Sequence, residues 1–336
     1  MKRILVAISS ALFGMIAVSV GTALAQVGTP GGFPPQTDLY EDAVLLARTL
    51  PVLLALGIGF GIWIGKQSLR EPKSTPGSAT VIRHDWGAVI AHWTNGVGFM
   101  IGMATGMIVL RQLPRPDEMR IIFSFHYIGA GLAVFGVASH LAQNAVTGGM
   151  GLMPRSLKDV RDGISDLMEQ AGIFGPSGAA FGINIPKMIR GTLAETAQAF
   201  GFKQPKNLGK YLPAEKVFSY TPWAIIVTVI VVTGLIKSFR YLYPIPPTFI
   251  AQVTTLHDIF AYASIVMLII HLVAVLLVPR HWPLVLSMFT TRISRKFVQQ
   301  HHAAWEKDLI AREQATSSAP RPAPPVSSNV IGEVKQ

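Results

Sequence analysis

The sequence predicts an all-α integral membrane protein, and three observations carry that prediction. Hydrophobic residues make up 50% of the 336 residues and charged residues only 14%, which lies outside the usual range of soluble domains. Five long apolar segments follow an N-terminal leader, and each approaches the length that a helix needs to cross about 30 Å of hydrocarbon. Positive charge is concentrated on one side of these segments. The expected architecture is a four-helix transmembrane bundle with one additional N-terminal transmembrane helix.

The leader is residues 1–25, which have the features of a secretory signal peptide. Lys2 and Arg3 precede an apolar run, and Ala23-Leu24-Ala25 provides the small residues of a cleavage site. The mature chain is expected to begin at Gln26, and an uncleaved signal anchor is the alternative. Residues 26–80 would then hold a periplasmic segment, the additional transmembrane helix and a cytoplasmic linker.

The distribution of Lys and Arg predicts the orientation of the spans, which are expected at residues 43–65, 86–110, 121–146, 222–239 and 256–279. Residues 66–83, 148–219 and the tail after Pro279 carry 21 Lys and Arg, whereas the external segments carry five. These three segments are therefore expected to face the cytoplasm of a bacterial inner membrane. Because this asymmetry accounts for most of the net charge of +11, the charge indicates membrane lipid and gives no support for a nucleic-acid partner.

Two cytoplasmic regions have their own predicted character. Within the loop 148–219, residues 156–171 and 186–200 are helix-like, and Leu157, Val160 and Ile164 place an apolar face on the first of them. That face is expected on the membrane surface or at the end of the bundle. Residues 81–310 form the expected main domain, and residues 311–336, rich in Ser, Ala and Pro, are expected to be a disordered tail.

Histidines are the expected ligands of any redox cofactor, because the chain contains no cysteine for a disulfide, an iron–sulfur cluster or a thioether-linked haem. Ionisable side chains inside a membrane are costly and indicate function. Five of the nine histidines lie within or at the edge of the predicted spans: His92, His126, His140, His257 and His271.

The spacing of these histidines predicts two haem b groups, each with two axial histidines. His126 and His140 are 14 residues apart, and so are His257 and His271. In a helix such a pair is about 21 Å apart along the axis and about 40° apart around it. The two spans run in the same direction, which places His126 level with His257 near the outer face and His140 level with His271 near the inner face. His92 shares the inner depth, so His92 and His140 are alternative partners of His271.

Several shorter motifs occur in a fixed order along residues 83–309. They are Ala91-His92-Trp93, Thr105-Gly106, His126, Lys210-Tyr211 with Lys216, Thr233-Gly234, His257, His271 and His301-His302-Ala303-Ala304-Trp305. This ordered set resembles the gamma subunit of formate dehydrogenase, a di-haem cytochrome b family that also serves related respiratory dehydrogenases.

The resemblance implies a membrane electron-transfer subunit whose substrate-oxidising site lies on another chain. His126 and His257 would ligate the outer haem iron, and His92 and His271 the inner one. Electrons would arrive from an iron–sulfur beta subunit, fed by a molybdenum or tungsten alpha subunit, and leave to quinone.

The segment after Lys210-Tyr211 departs from the family pattern. Leu212 stands where the family usually has an Asn of the quinone site, so Lys210, Tyr211 and Glu215 are the remaining polar candidates there. A membrane transporter or channel that relays protons through buried histidines is the alternative function.

Overall fold

The computed structural model describes residues 38–71, 73–175, 185–206 and 208–318. The first long helix is α1 (Asp38–Arg70), followed by the short strand β1 (Thr80–Ile82), α2 (Trp86–Val109) and α3 (Met119–Thr147). A 3-10 turn (Gly149–Leu152) leads into α4 (Leu157–Gln170) and α5 (Lys187–Ala199). The signal peptide predicted at residues 1–25 lies outside the described residues.

The second half of the chain begins with one continuous helical segment. It consists of α6 (Pro213–Glu215), a π-helical stretch (Lys216–Tyr220) and α7 (Thr221–Phe239). Then come α8 (Pro247–Leu276), a 3-10 turn (Pro279–His281), α9 (Trp282–Thr290), β2 (Arg292–Ser294), α10 (Arg295–His301) and α11 (Ala303–Ser318). Helix α11 enters the predicted disordered tail, and residues 319–336 lie outside the described residues.

Four helices of the described chain are long and apolar enough to cross a membrane: Glu41–Arg70, Met119–Thr147, Pro213–Phe239 and Pro247–Leu276. The remaining predicted span, α2, is a helix of 24 residues but is less apolar, because it contains His92, Asn95 and several glycines. Large apolar side chains point away from the bundle, as in Ile128 of α3 and Ile269 of α8, which are 54% and 57% exposed. Such outward-facing surfaces are what a helix presents to lipid.

Glycines allow α3 to pack closely against both α1 and α2. A Cβ atom added to Gly57 of α1 would lie 2.6 Å from the carbonyl oxygen of Phe135, and one added to Gly98 of α2 would lie 2.7 Å from that of Gly129. The first contact joins α1 to α3 and the second joins α2 to α3. Small residues thus let the backbones approach, as is common between membrane helices. Helix α7 packs mainly against α8, which completes the bundle.

A small domain closes one end of the bundle and joins segments that are far apart in sequence. Strand β1 pairs antiparallel with β2, with Val81 opposite Ile293. Val81, Ile293 and Val298 form its apolar core together with Trp305 and Leu309 of α11. Arg295 joins the domain to α11 through ion pairs of 2.9 Å with both Glu306 and Glu313. We call β1, β2, α10 and α11 together the terminal cap.

The described parts of the loop 148–219 lie at the same end. Helix α4 begins with a capping box between Ser156 and Asp159. The buried carboxylate of Asp166 accepts a hydrogen bond from the backbone N–H of Ala214 (3.0 Å), which ties α4 to the start of α6. Nδ1 of His302, in the cap, donates a hydrogen bond to the carbonyl oxygen of Gly209. The three Lys- and Arg-rich segments therefore meet at one end of the bundle, as their common cytoplasmic assignment requires.

Candidate functional site

The two outer histidines are held in matching ways by threonines of neighbouring helices. Thr105 of α2 lies 2.9 Å from Nδ1 of His126 in α3, and Thr233 of α7 lies 2.9 Å from Nδ1 of His257 in α8. The glycine after each threonine lies beside the ring. A Cβ atom at Gly106 would be 3.8 Å from Cε1 of His126, and one at Gly234 would be 3.5 Å from Cε1 of His257.

The hydrogen bonds of these threonines define which imidazole nitrogen carries the proton. Thr105 donates its hydroxyl hydrogen to the carbonyl of Ile101 at 2.6 Å, and Thr233 donates to that of Val229 at 2.6 Å. Each threonine oxygen can then only accept from its histidine, so Nδ1 carries the hydrogen. The lone pair of Nε2 remains available for a metal, and an outer partner at the other nitrogen is how proteins orient metal-binding histidines.

The helices that carry these rings leave room between them. His126 and His257 lie within electrostatic range of each other, yet within the described residues α3 and α8 make little direct contact. On α2, a Cβ atom at Gly96 or Gly102 would meet nothing within 4 Å. Gly98 therefore packs against α3, whereas Gly96 and Gly102 face open space. Paired imidazoles with free Nε2 atoms beside such space fit a planar haem.

The inner group contains three histidines, and the structure distinguishes two of them. His92 of α2 lies within electrostatic range of both His271 and His140. His140 is engaged by its own helix, because the side-chain amide of Asn144 lies 2.9 Å from Nε2 of His140. His92 instead packs edge to face against Trp93, whose indole N–H donates to the carbonyl of Met288 at 2.9 Å. The two candidate partners of His271 therefore differ in their surroundings, because His140 is bonded within α3 and His92 packs against Trp93.

The polar residues expected at the quinone gather near the inner histidines. Lys210 and Tyr211 lie side by side, with the ammonium group 5.2 Å from the centre of the ring. The Glu215 carboxylate lies within electrostatic range of Tyr211 and of His271. Leu212, which replaces the family's Asn, is buried, and its backbone N–H donates to Glu215 at 3.3 Å.

Arg83 and His84 also lie among these polar residues, although the sequence did not predict them there. We call Arg83, His84, Lys210, Tyr211 and Glu215 the inner cluster. Arg83 counted only as one positive charge of a cytoplasmic loop, yet it is 3% exposed and pairs with Glu215 at 3.6 Å. The His84 ring centre lies 6.3 Å from that of Tyr211, and burial lowers the pKa of His84 to about 2. Their position directly before α2 and its His92 was the available signal.

Comparison with protein families places most of the chain in a known group. The family description "Prokaryotic cytochrome b561" matches residues 83–291, which include all five histidines of the spans and the whole inner cluster. No curated protein and no solved structure matches the chain. The match covers well over half of the chain. This protein therefore belongs to the prokaryotic cytochrome b561 family, and it is a bacterial membrane cytochrome b that binds haem b and takes part in electron transfer.

Proposed function

We propose that this cytochrome is the two-haem membrane subunit of a respiratory dehydrogenase complex similar to formate dehydrogenase. It receives electrons from an iron–sulfur subunit at its outer end and passes them to quinone at its inner end. The observation that carries the proposal is the presence of two histidine levels in one bundle, with the outer pair held by Thr105 and Thr233. A single-haem protein has no need for the second level.

The residues divide into two haem sites and a quinone region. His126 and His257 ligate the outer haem, and His92 and His271 the inner one. The haem groups supply reversible one-electron chemistry, while the protein fixes their ligands and their surroundings. Lys210, Tyr211 and Glu215 border the quinone region, where Glu215 would deliver protons from the cytoplasmic side.

This arrangement separates charge across the membrane. Electrons enter from the periplasmic face and protons are taken up from the cytoplasm, so turnover in the inner membrane generates a membrane potential. The substrate is oxidised on a molybdenum or tungsten subunit that is not part of this chain. In sealed vesicles, quinone reduction by the whole complex is expected to polarise the membrane. Quinone reduction without polarisation would contradict the arrangement.

The decisive experiment counts haem. The chain purified in detergent is expected to give the reduced-minus-oxidised spectrum of a b-type cytochrome and two extractable haems. His126→Ala and His271→Ala are each expected to remove one haem, whereas His301→Ala, in α10, retains both. One haem in the wild type, or two in both span variants, would overturn the assignment.

A further inference from the structure

Arg83 is a buried cation with unused hydrogen-bonding capacity. Its side chain is 3% exposed, and it donates one hydrogen bond, of 3.5 Å, from Nη1 to the carbonyl of Leu284. Neither Nε nor Nη2 has a hydrogen-bond partner among the described residues. Leaving the N–H groups of a buried guanidinium unpaired is costly, which indicates that a hydrogen-bond acceptor belongs beside them.

The neighbourhood of Arg83 also has an excess of positive charge. The guanidinium carbon lies 5.7 Å from the centre of the Tyr211 ring, and the Lys210 ammonium lies 5.2 Å from the same point. Burial, followed by the repulsion of Arg83, lowers the pKa of Lys210 to about 8. A buried cation and a half-buried cation thus lie near the same aromatic ring.

The carboxylates nearby do not balance these two cations. Glu215 lies 3.6 Å from Nη2 of Arg83, beyond hydrogen-bond distance, and its side chain is 35% exposed. Asp85 is already shared between Lys73, at 3.6 Å, and the side chain of Gln143, at 2.8 Å. A buried charge is stable when it is paired and hydrogen-bonded, so one more anion fits the cluster.

The cluster adjoins the inner histidines. Arg83 and His84 directly precede the first turn of α2, and His84 is within electrostatic range of His92. Glu215 is within range of His271. We propose that Arg83, assisted by Lys210, binds a propionate carboxylate of the inner haem. This inference rests on the proposed function, because it requires a haem between His92 and His271.

The chemistry favours a carboxylate over the carbonyl of a quinone. The guanidinium presents its N–H groups in a planar fork that matches the two oxygens of a carboxylate. A quinone carbonyl is neutral, so it would accept a hydrogen bond without compensating the charge of Arg83 and Lys210. Lys210 contributes a second positive charge near the Tyr211 ring and keeps its place at the border of the quinone region.

The test measures the midpoint potentials of both haems in the purified chain. Without the arginine, the propionate charge is uncompensated and stabilises the oxidised iron. Arg83→Gln is therefore expected to disfavour reduction of one haem about tenfold, which is a downward shift of 59 mV for a one-electron couple. The potential of that haem should also become dependent on pH near neutrality, because its propionate can then take up a proton on reduction.

Three further variants make the result specific. His257→Ala, which removes the outer haem, identifies the shifted couple as the inner one. Arg70→Gln removes an exposed arginine at the C-terminal end of α1 and should leave both potentials unchanged. If Arg83→Gln does not fold, Lys210→Gln is expected to give a smaller shift in the same direction.

Unchanged potentials in Arg83→Gln with both haems retained would overturn the inference. A raised KM for quinone in the same variant would then assign the arginine to the quinone instead. Absence of haem from the wild-type chain would refute the proposed function instead, so the two failures are distinguishable.

Discussion

Oγ1 of Thr233 lies 2.9 Å from Nδ1 of His257 and 2.6 Å from the carbonyl oxygen of Val229. The threonine thus uses its hydrogen within its own helix and its oxygen across the helix interface. Thr105 repeats the arrangement with His126. Each outer imidazole is therefore oriented at Nδ1 by a neighbouring helix, and the lone pair of its Nε2 is left for a metal.

Removing this orienting hydroxyl should weaken haem binding at the outer site. Thr233→Val keeps the shape of the side chain but loses the acceptor for Nδ1–H of His257. Loss of such a partner typically lowers metal affinity by about 10- to 100-fold. Competition for haem with an excess of apomyoglobin measures the affinity, and Thr233→Ser should retain it. Equal haem retention in Thr233→Val and the wild type would show that the hydroxyl has no orienting role.

The inner ligand can be identified by comparing His92 with His140. His92→Ala should lose one haem, whereas His140→Leu should retain both, because Nε2 of His140 is already engaged by Asn144 at 2.9 Å. Haem extraction from the two purified variants provides the count. Loss of one haem from His140→Leu together with full retention in His92→Ala would reverse the assignment.

Helix α1 offers a matched pair of glycines to test its packing on α3. Gly57 faces α3, where a Cβ atom would lie 2.6 Å from the Phe135 carbonyl oxygen, whereas a Cβ atom at Gly59 would meet nothing within 4 Å. Gly57→Ala should destabilise the bundle by about 1–3 kcal/mol through overpacking. Gly59→Ala should instead be neutral or stabilising by up to ~1 kcal/mol, because alanine favours a helix. Thermal unfolding in detergent compares the two. Similar unfolding temperatures would mean that α1 does not dock on α3 at Gly57.

Acid should loosen the terminal cap through His302. Its side chain is 1% exposed, its Nδ1–H donates to the Gly209 carbonyl at 2.7 Å, and burial lowers its pKa from 6.5 to about 4. Between these pH values the unfolded chain binds a proton that the folded chain does not, so stability decreases as the pH falls through this window. The loss amounts to about 3 kcal/mol at most, at ~1.4 kcal/mol per pKa unit.

The control for this effect is His302→Gln, which keeps a donor for Gly209 but cannot titrate. Unfolding temperatures of this variant should change less between pH 7 and 4 than those of the wild type, so the difference between the two isolates His302. Parallel curves for the two proteins would exclude His302 as the acid-sensitive group. Arg83 also lies close enough to oppose protonation of His302. The comparison therefore uses the wild type and His302→Gln, both of which retain Arg83.

Much of the bundle could be predicted because its signals are periodic and local. Apolar length located the helices to within a few residues at most ends, and the repeated spacing of 14 residues predicted two histidine levels. The exception is α8, which begins at Pro247 rather than near residue 256. Thr254, Thr255 and His257 lower the hydropathy of its first turns, although proline at the N-terminus allows the helix to start earlier.

The remaining features depend on contacts that no local pattern encodes. The strands of the cap are three residues each, and the pairing of Val81 with Ile293 becomes visible only after the chain folds. The spacing argument left His140 and His92 equivalent, because the bond between Asn144 and His140 is a matter of side-chain direction. Arg83 resembled any loop arginine in the sequence, and only its burial reveals a role.

The pairing of β1 with β2 has a consequence for biosynthesis. The ribosome completes Thr80–Ile82 long before Arg292–Ser294, and all the membrane helices after α1 are made in between. The cap therefore cannot close until the last span has left the translocation machinery. Until then the end of the bundle that carries His92 and His271 stays uncapped, so the terminal cap closes only after every membrane helix has been made.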